Sequence, residues 1–178
     1  MAMELNMFKH LKHPSWQWLA AIILFLAFSR LIPHAPNFTP LGAMALLSGA
    51  FVKDIRVSLL IPLIAMLLSD AIIGFHSSMI FVYGAVALIV IGSHYWLKRV
   101  SLVSITLAAF ISAVAFFLIT NFGAWLTHDM YIHNISGLTQ AYIAGIPFFK
   151  NTLISNVLFT AVGFFASQQL SNKQLVDN

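Results

Sequence analysis

Apolar runs separated by short polar breaks dominate the chain, and their lengths set the first expectation. A helix crossing a membrane needs about 20 apolar residues, within a range of about 17 to 25. Five runs qualify: 16–32, 57–75, 79–97, 101–126 and 142–167. A sixth, Leu41 to Val52, is shorter. It stands between a turn-rich loop, Pro33-His34-Ala35-Pro36-Asn37-Phe38-Thr39-Pro40, and a charged hinge, Lys53-Asp54-Ile55-Arg56. It is either a short second span or a re-entrant segment, and the span is favoured. Its Ala45 and Gly49 form a small-xxx-small pair, which lets helix backbones approach closely. The pattern predicts an all-α polytopic membrane protein: six transmembrane helices over 15–168, between a segment 1–14 and a tail 169–178.

Basic residues orient these spans. Lys9 and Lys12, Lys53 and Arg56, Lys98 and Arg99, and Lys173 fall at alternate ends of successive runs, while the loops about 33–40, 75–78 and 127–141 contain no Lys or Arg. Short basic loops stay in the cytoplasm, so the lysine-free loops should face out and both termini in, in a bacterial inner membrane. Helical rise then gives depth. Arg30 sits near the outer end of the first span, Asp70 is roughly 20 Å up the third, and Lys150 is roughly 12 Å below the outer end of the sixth. A charge in hydrocarbon is costly and normally marks a substrate or ion pathway. All three fall in the outer half, and an Arg30–Asp70 ion pair is within reach.

Composition agrees with the pattern and removes other classes. The 178 residues are 60% hydrophobic and 8% charged, with a mean hydropathy of +0.91; soluble domains carry about 25% charged residues. The net charge of +4 would suggest nucleic acid in a polar protein, but here the basic residues mark orientation, and no nucleic-acid partner is expected. With no cysteine there are neither disulfides nor thiolate metal sites. Gly-rich phosphate loops, His-Glu-x-x-His, a serine elbow and paired intramembrane carboxylates are all missing, so no enzyme is predicted. The first run ends in Arg30 and a proline-rich loop rather than at a small-residue cleavage site, and reads as a retained helix.

Polar side chains in so apolar a background are the candidates for recognition. Thr152, Asn156 and Thr160 stand at i, i+4 and i+8 on the sixth span, a line that must face protein or water. The start of that span, Tyr142-Ile143-Ala144-Gly145-Ile146-Pro147, is expected to be kinked or broken, freeing backbone groups near the surface. The outer histidines His34, His76, His128 and His133 are weak metal candidates without tight ligand spacing. The candidate solute site comprises Asn37 and Thr39 from the first outer loop, Asp70, His76, Asn121 and Trp125, and Lys150, Asn151 and Asn156, with Arg30 and Asp70 as a structural ion pair.

The run Arg30-Leu31-Ile32-Pro33 through Asn37-Phe38-Thr39-Pro40-Leu41-Gly42-Ala43-Met44-Ala45-Leu46, with Ser48-Gly49-Ala50-Phe51, resembles the first loop and second helix of small bacterial six-helix membrane proteins. These include the substrate-binding S components of energy-coupling factor vitamin transporters. Within that group the chain is most similar to a bacterial family of unassigned function that also shows segments like Pro62-Leu63 to Leu68-Ser69-Asp70, Phe81-Val82-Tyr83-Gly84, Thr120-Asn121-Phe122-Gly123 and Ile146-Pro147-Phe148-Phe149-Lys150-Asn151-Thr152. The resemblance covers about residues 28 to 165. It implies a six-helix bundle that binds a vitamin-like molecule near its outer face, under the loops joining spans one to two, three to four and five to six. A solitary cobalamin importer of similar size belongs to the group and ligates cobalt from a cysteine. In this chain that role would pass to His34 or His76, so cobalamin is one transported ligand to consider. S components often carry an Ala-x-x-x-Ala contact for an energising subunit; here Ala20 and Ala21 are followed four on by Leu24 and Phe25, so the protein is as compatible with acting alone.

The expectation is therefore a transporter or substrate-binding component for a small organic solute, with the bilayer and an energising or other membrane subunit as partners. The alternative is a non-transporting membrane subunit that docks a larger complex.

Overall fold

Leu41–Phe51 has one polar side chain, Ser48, and no face that suits water, so this helix has to be enclosed on all sides. In the computed structural model it is: every residue of the helix, α1, except Ala50 is buried. Four further helices surround it, α2 (Ile55–Ile73), α3 (Met79–Trp96), α4 (Leu102–Thr127) and α5 (Ile135–Val176), and α1 touches all of them. The structure describes residues 28–97 and 102–176, with Gln17, Ala21, Leu24 and Phe25 ahead of them; side chains are described from Val103 in α4 and, in α5, through Ala166 and at Gln169. Eight of the 17 residues of the run 16–32, the segment 1–14 and the side chains of Lys98, Arg99 and Lys173 lie outside the described residues.

Among the described residues the protein is all-helical. The helices α2 and α3, residues 103–127 of α4 and residues 135–166 of α5 are each long and apolar enough to cross a membrane, which makes this a multi-pass membrane protein. No more than a third of each of these spans is buried within the protein. The rest presents large apolar side chains outward, such as Leu60, Ile64, Leu67 and Ile72 on α2, as lipid requires.

Two expectations are corrected. The segment 41–52 is not a full span: α1 has 11 residues, a rise of about 16 Å against a hydrocarbon core of about 30 Å. Protein, rather than lipid, covers it. The last span is neither broken at Tyr142 to Pro147 nor preceded by a loop to 141, because α5 starts at Ile135 and runs on through Pro147. Asn134 starts it, its Oδ1 accepting a hydrogen bond from the Gly137 N–H at 2.8 Å, the bond of an N-cap. The connection from α4 is therefore only residues 128–134.

Small side chains and hydroxyls set the depth of α1. Gly49 lies against the Val90 carbonyl and Ser93 of α3, Gly163 of α5 against Leu47, and Gly42 against the carboxamide of Asn156. Phe51 and Phe164 stack with ring centres 5.0 Å apart. Ser93 donates to the Leu46 carbonyl at 2.6 Å, and Ser48 donates to the carbonyl of Ser58, hydroxyl contacts of the kind that hold helices together where no hydrophobic force acts between them. These pairings set α1 beside residues 156–164 of α5. Its column beyond Leu41 is left to the irregular segment 32–40 rather than to helix.

Candidate functional site

The short α1 leaves a hollow. A cavity of about 320 Å³ lies beyond its first turn, lined by Leu41 and Gly42 of α1, Asn37 and Thr39 of the preceding loop, and His76 and Ser78 before α3. Val82, then Phe116, Thr120, Asn121 and Ala124 of α4, and Phe148, Thr152 and Asn156 of α5, with Arg30, complete the wall. The volume is at the lower end of the range of about 300–1,000 Å³ for small-molecule pockets.

Two glycines seat the two deepest amides. A side chain at Gly42 would collide with the carboxamide of Asn156, and one at Gly145 with that of Asn121. Proton bookkeeping fixes how both amides are turned. The Phe117 carbonyl can only accept, so the Asn121 atom facing it at 2.8 Å is Nδ2. Ser112 spends its proton on the Ala109 carbonyl at 2.9 Å, so it accepts from Asn156 Nδ2 at 3.1 Å. Thr120 and Thr152 likewise donate to the carbonyls of Phe116 and Phe148 at 2.8 and 3.1 Å, which leaves their oxygen lone pairs for the cavity.

The expected ion pair is present. Arg30, in a single turn of 3-10 helix at Ser29–Leu31, places Nη2 2.8 Å from Asp70 Oδ1 and donates from Nη1 to Ser69 Oγ at 2.7 Å. Tyr83 donates its hydroxyl proton to the other carboxylate oxygen, Oδ2, at 2.9 Å. Both oxygens of Asp70 are thereby engaged. The side chain of Arg30 is 14% exposed and that of Asp70 3%, so the arginine, not the aspartate, reaches the cavity wall.

Asn37, Thr39, His76, Asn121 and Asn156 converge on this cavity together with Arg30. Four other expected residues do not line it. Asp70 stands behind Arg30. Lys150 is exposed on α5. Trp125 donates from Nε1 to the Ile132 carbonyl at 3.0 Å and packs on the His133 ring. Asn151 donates to the Pro36 carbonyl at 2.9 Å, tying the 32–40 loop to α5. That loop carries a left-handed residue, Asn37, with φ of 60°, and its Phe38 meets Phe159 edge-on at 5.8 Å. Thr152, on the polar line with Asn156, also lines the hollow, as do Thr120, Ser78, Phe116 and Phe148, which the sequence did not single out. Their signal was helical phase: 116, 120 and 124 on α4, and 148, 152 and 156 on α5, recur every four residues.

The histidines stay apart. His34 Nδ1 meets the neighbouring Ala35 carbonyl at 2.9 Å and His76 Nδ1 meets Ser78 Oγ at 3.0 Å. Among the described residues no three of His, Cys, Asp or Glu gather closely enough to hold a metal ion.

No curated protein and no solved structure matches the chain. A family model does, over residues 10–176. The chain belongs to that family, a family of unknown function (DUF6580).

Proposed function

We propose that this protein binds a small, vitamin-like organic solute in the cavity beyond α1 and passes it across a bacterial inner membrane. The observation that carries this is the cavity itself, a polar hollow of about 320 Å³ inside an apolar bundle. Polar groups inside a membrane protein are costly, and a charged one facing a hollow is by default a sign of a solute pathway. The hinge Lys53 to Arg56 lies at the opposite end of α1 from the cavity, and basic loops favour the cytoplasm. That supports a cavity opening outward, with both termini inside. The likeness of residues 28–165 to S components supports six helices, the run 16–32 supplying the first, and the same class of solute. A corrinoid is far larger than this cavity, which favours a compact solute over cobalamin.

Native mass spectrometry of gently extracted protein tests the proposal. Wild-type protein should carry one small molecule per chain, and Ala124→Phe, which fills the cavity, should lose it while staying folded. Wild-type protein that carries no small molecule but copurifies at fixed stoichiometry with membrane subunits would overturn it in favour of a docking subunit.

A further inference from the structure

Which solutes the cavity accepts follows from how its charge is arranged, and we infer that it takes a small carboxylate, held by the guanidinium of Arg30. This rests on the solute-binding function proposed above. Among the described residues, Arg30 is the one permanently charged residue of the lining, which there contains no Asp, Glu or Lys. Its counter-charge is set back from the wall, since Asp70 is 3% exposed against 14% for Arg30. A solute in the hollow therefore meets the positive end of the pair first.

The guanidinium also has hydrogen bonds to give. Of its five N–H donors, two are spent among the described residues, one on Ser69 and one on Asp70. The planar fork of the remainder suits a carboxylate. Asp70 is kept from the solute by its burial, at 3% exposed and outside the lining, while Arg30 and Tyr83 each donate to one of its oxygens. Asp70 and Tyr83 are positioning residues that keep the guanidinium pointed at the hollow. Partial neutralisation by Asp70 suits a monoanion. A phosphate monoester, with a charge of about −1.5 to −2, would call for a second cation that the lining lacks.

Other lining residues set further features of the solute. Thr120 and Thr152 have committed their protons to their own helices and offer only lone pairs. Phe116, Phe148 and Val82 supply apolar surface in the same lining. The complementary molecule is a compact ring or short chain that carries a carboxylate together with N–H or O–H donors.

The test is identification of what wild-type protein carries after gentle extraction, with methyl esterification of the released species. A released molecule that gains a methyl group at a carboxylate is the expected result. Removing Arg30 alone would leave Asp70 unpaired and endanger folding, so the diagnostic variant is the double replacement Arg30→Gln with Asp70→Asn, which removes both charges together and leaves neither unpaired. It should elute as wild type does and carry at least tenfold less of the acid. Occupancy equal to wild type, or a bound molecule without a carboxylate, overturns the inference and leaves the solute-binding proposal standing. Wild-type protein with no bound small molecule overturns both.

Discussion

The two halves of the bundle are built from the same helices and differ in what fills the column at the centre. Beside residues 156–164 of α5, the column is α1, and the packing is close enough that Gly42, Gly49 and Gly163 each abut a neighbour directly. Met44, Leu47, Met66, Val86 and Val90 are there sealed from solvent. Beyond Leu41 the column is an irregular loop, and the side chains around it are amides, hydroxyls and a guanidinium. A single variable, the length of one helix, separates a packed core from a polar hollow. A full span at 41–52 would have filled both halves alike.

Four substitutions bear on that contrast, in falling order of effect. Asp70→Ala strands Arg30 without its counter-charge, and breaking a buried pair from one side costs about 3–5 kcal/mol. Extracted protein should melt far lower, and Arg30→Gln in the same chain should restore most of the loss. Gly49→Val drives a branched side chain into the Val90 carbonyl and should cost about 1–3 kcal/mol, seen as a lower melting temperature. Asn151→Ala removes one hydrogen bond to Pro36, less than about 1 kcal/mol, and should raise hydrogen exchange in residues 33–40 ahead of the rest of the chain. Ala124→Phe, the larger volume change of the two enlargements, should leave melting nearly unchanged because it grows into space. If Ala124→Phe proved as damaging as Gly49→Val, the two halves would not differ as described.

Much of this was readable in the chain, and the reasons are local. The bounds of α2, α3 and α4 lie within two residues of the apolar runs, because Gly74, Ser78 and the basic pair at 98–99 interrupt them sharply. The start of α5 was obscured by Ser136, Thr139 and Gln140, polar residues that look like a loop; the cap at Asn134 was the better signal. Arg30 with Asp70 was legible because charges in so apolar a chain have few places to go. Lys150, placed by the same logic, does not line the hollow. It stands two residues from both Phe148 and Thr152, about 200° around the helix from the lining, an angular phase that depth alone does not show. The hollow was legible in part, since Asn37, Thr39, His76, Asn121 and Asn156 do line it, but its shape was not. That shape depends on which side chains of the neighbouring helices turn into the gap beyond Leu41, where α1 begins.

Enclosure of α1 also bears on how the chain is assembled during synthesis. Eleven residues, one of them Ser48, are too few to hold a nascent segment in the bilayer unaided, so this piece depends on helices made after it, above all α3 and α5, which supply its close glycine contacts. A ribosome stalled shortly after Phe51 would leave the segment outside the lipid, and only completion of the last helix would draw it into place.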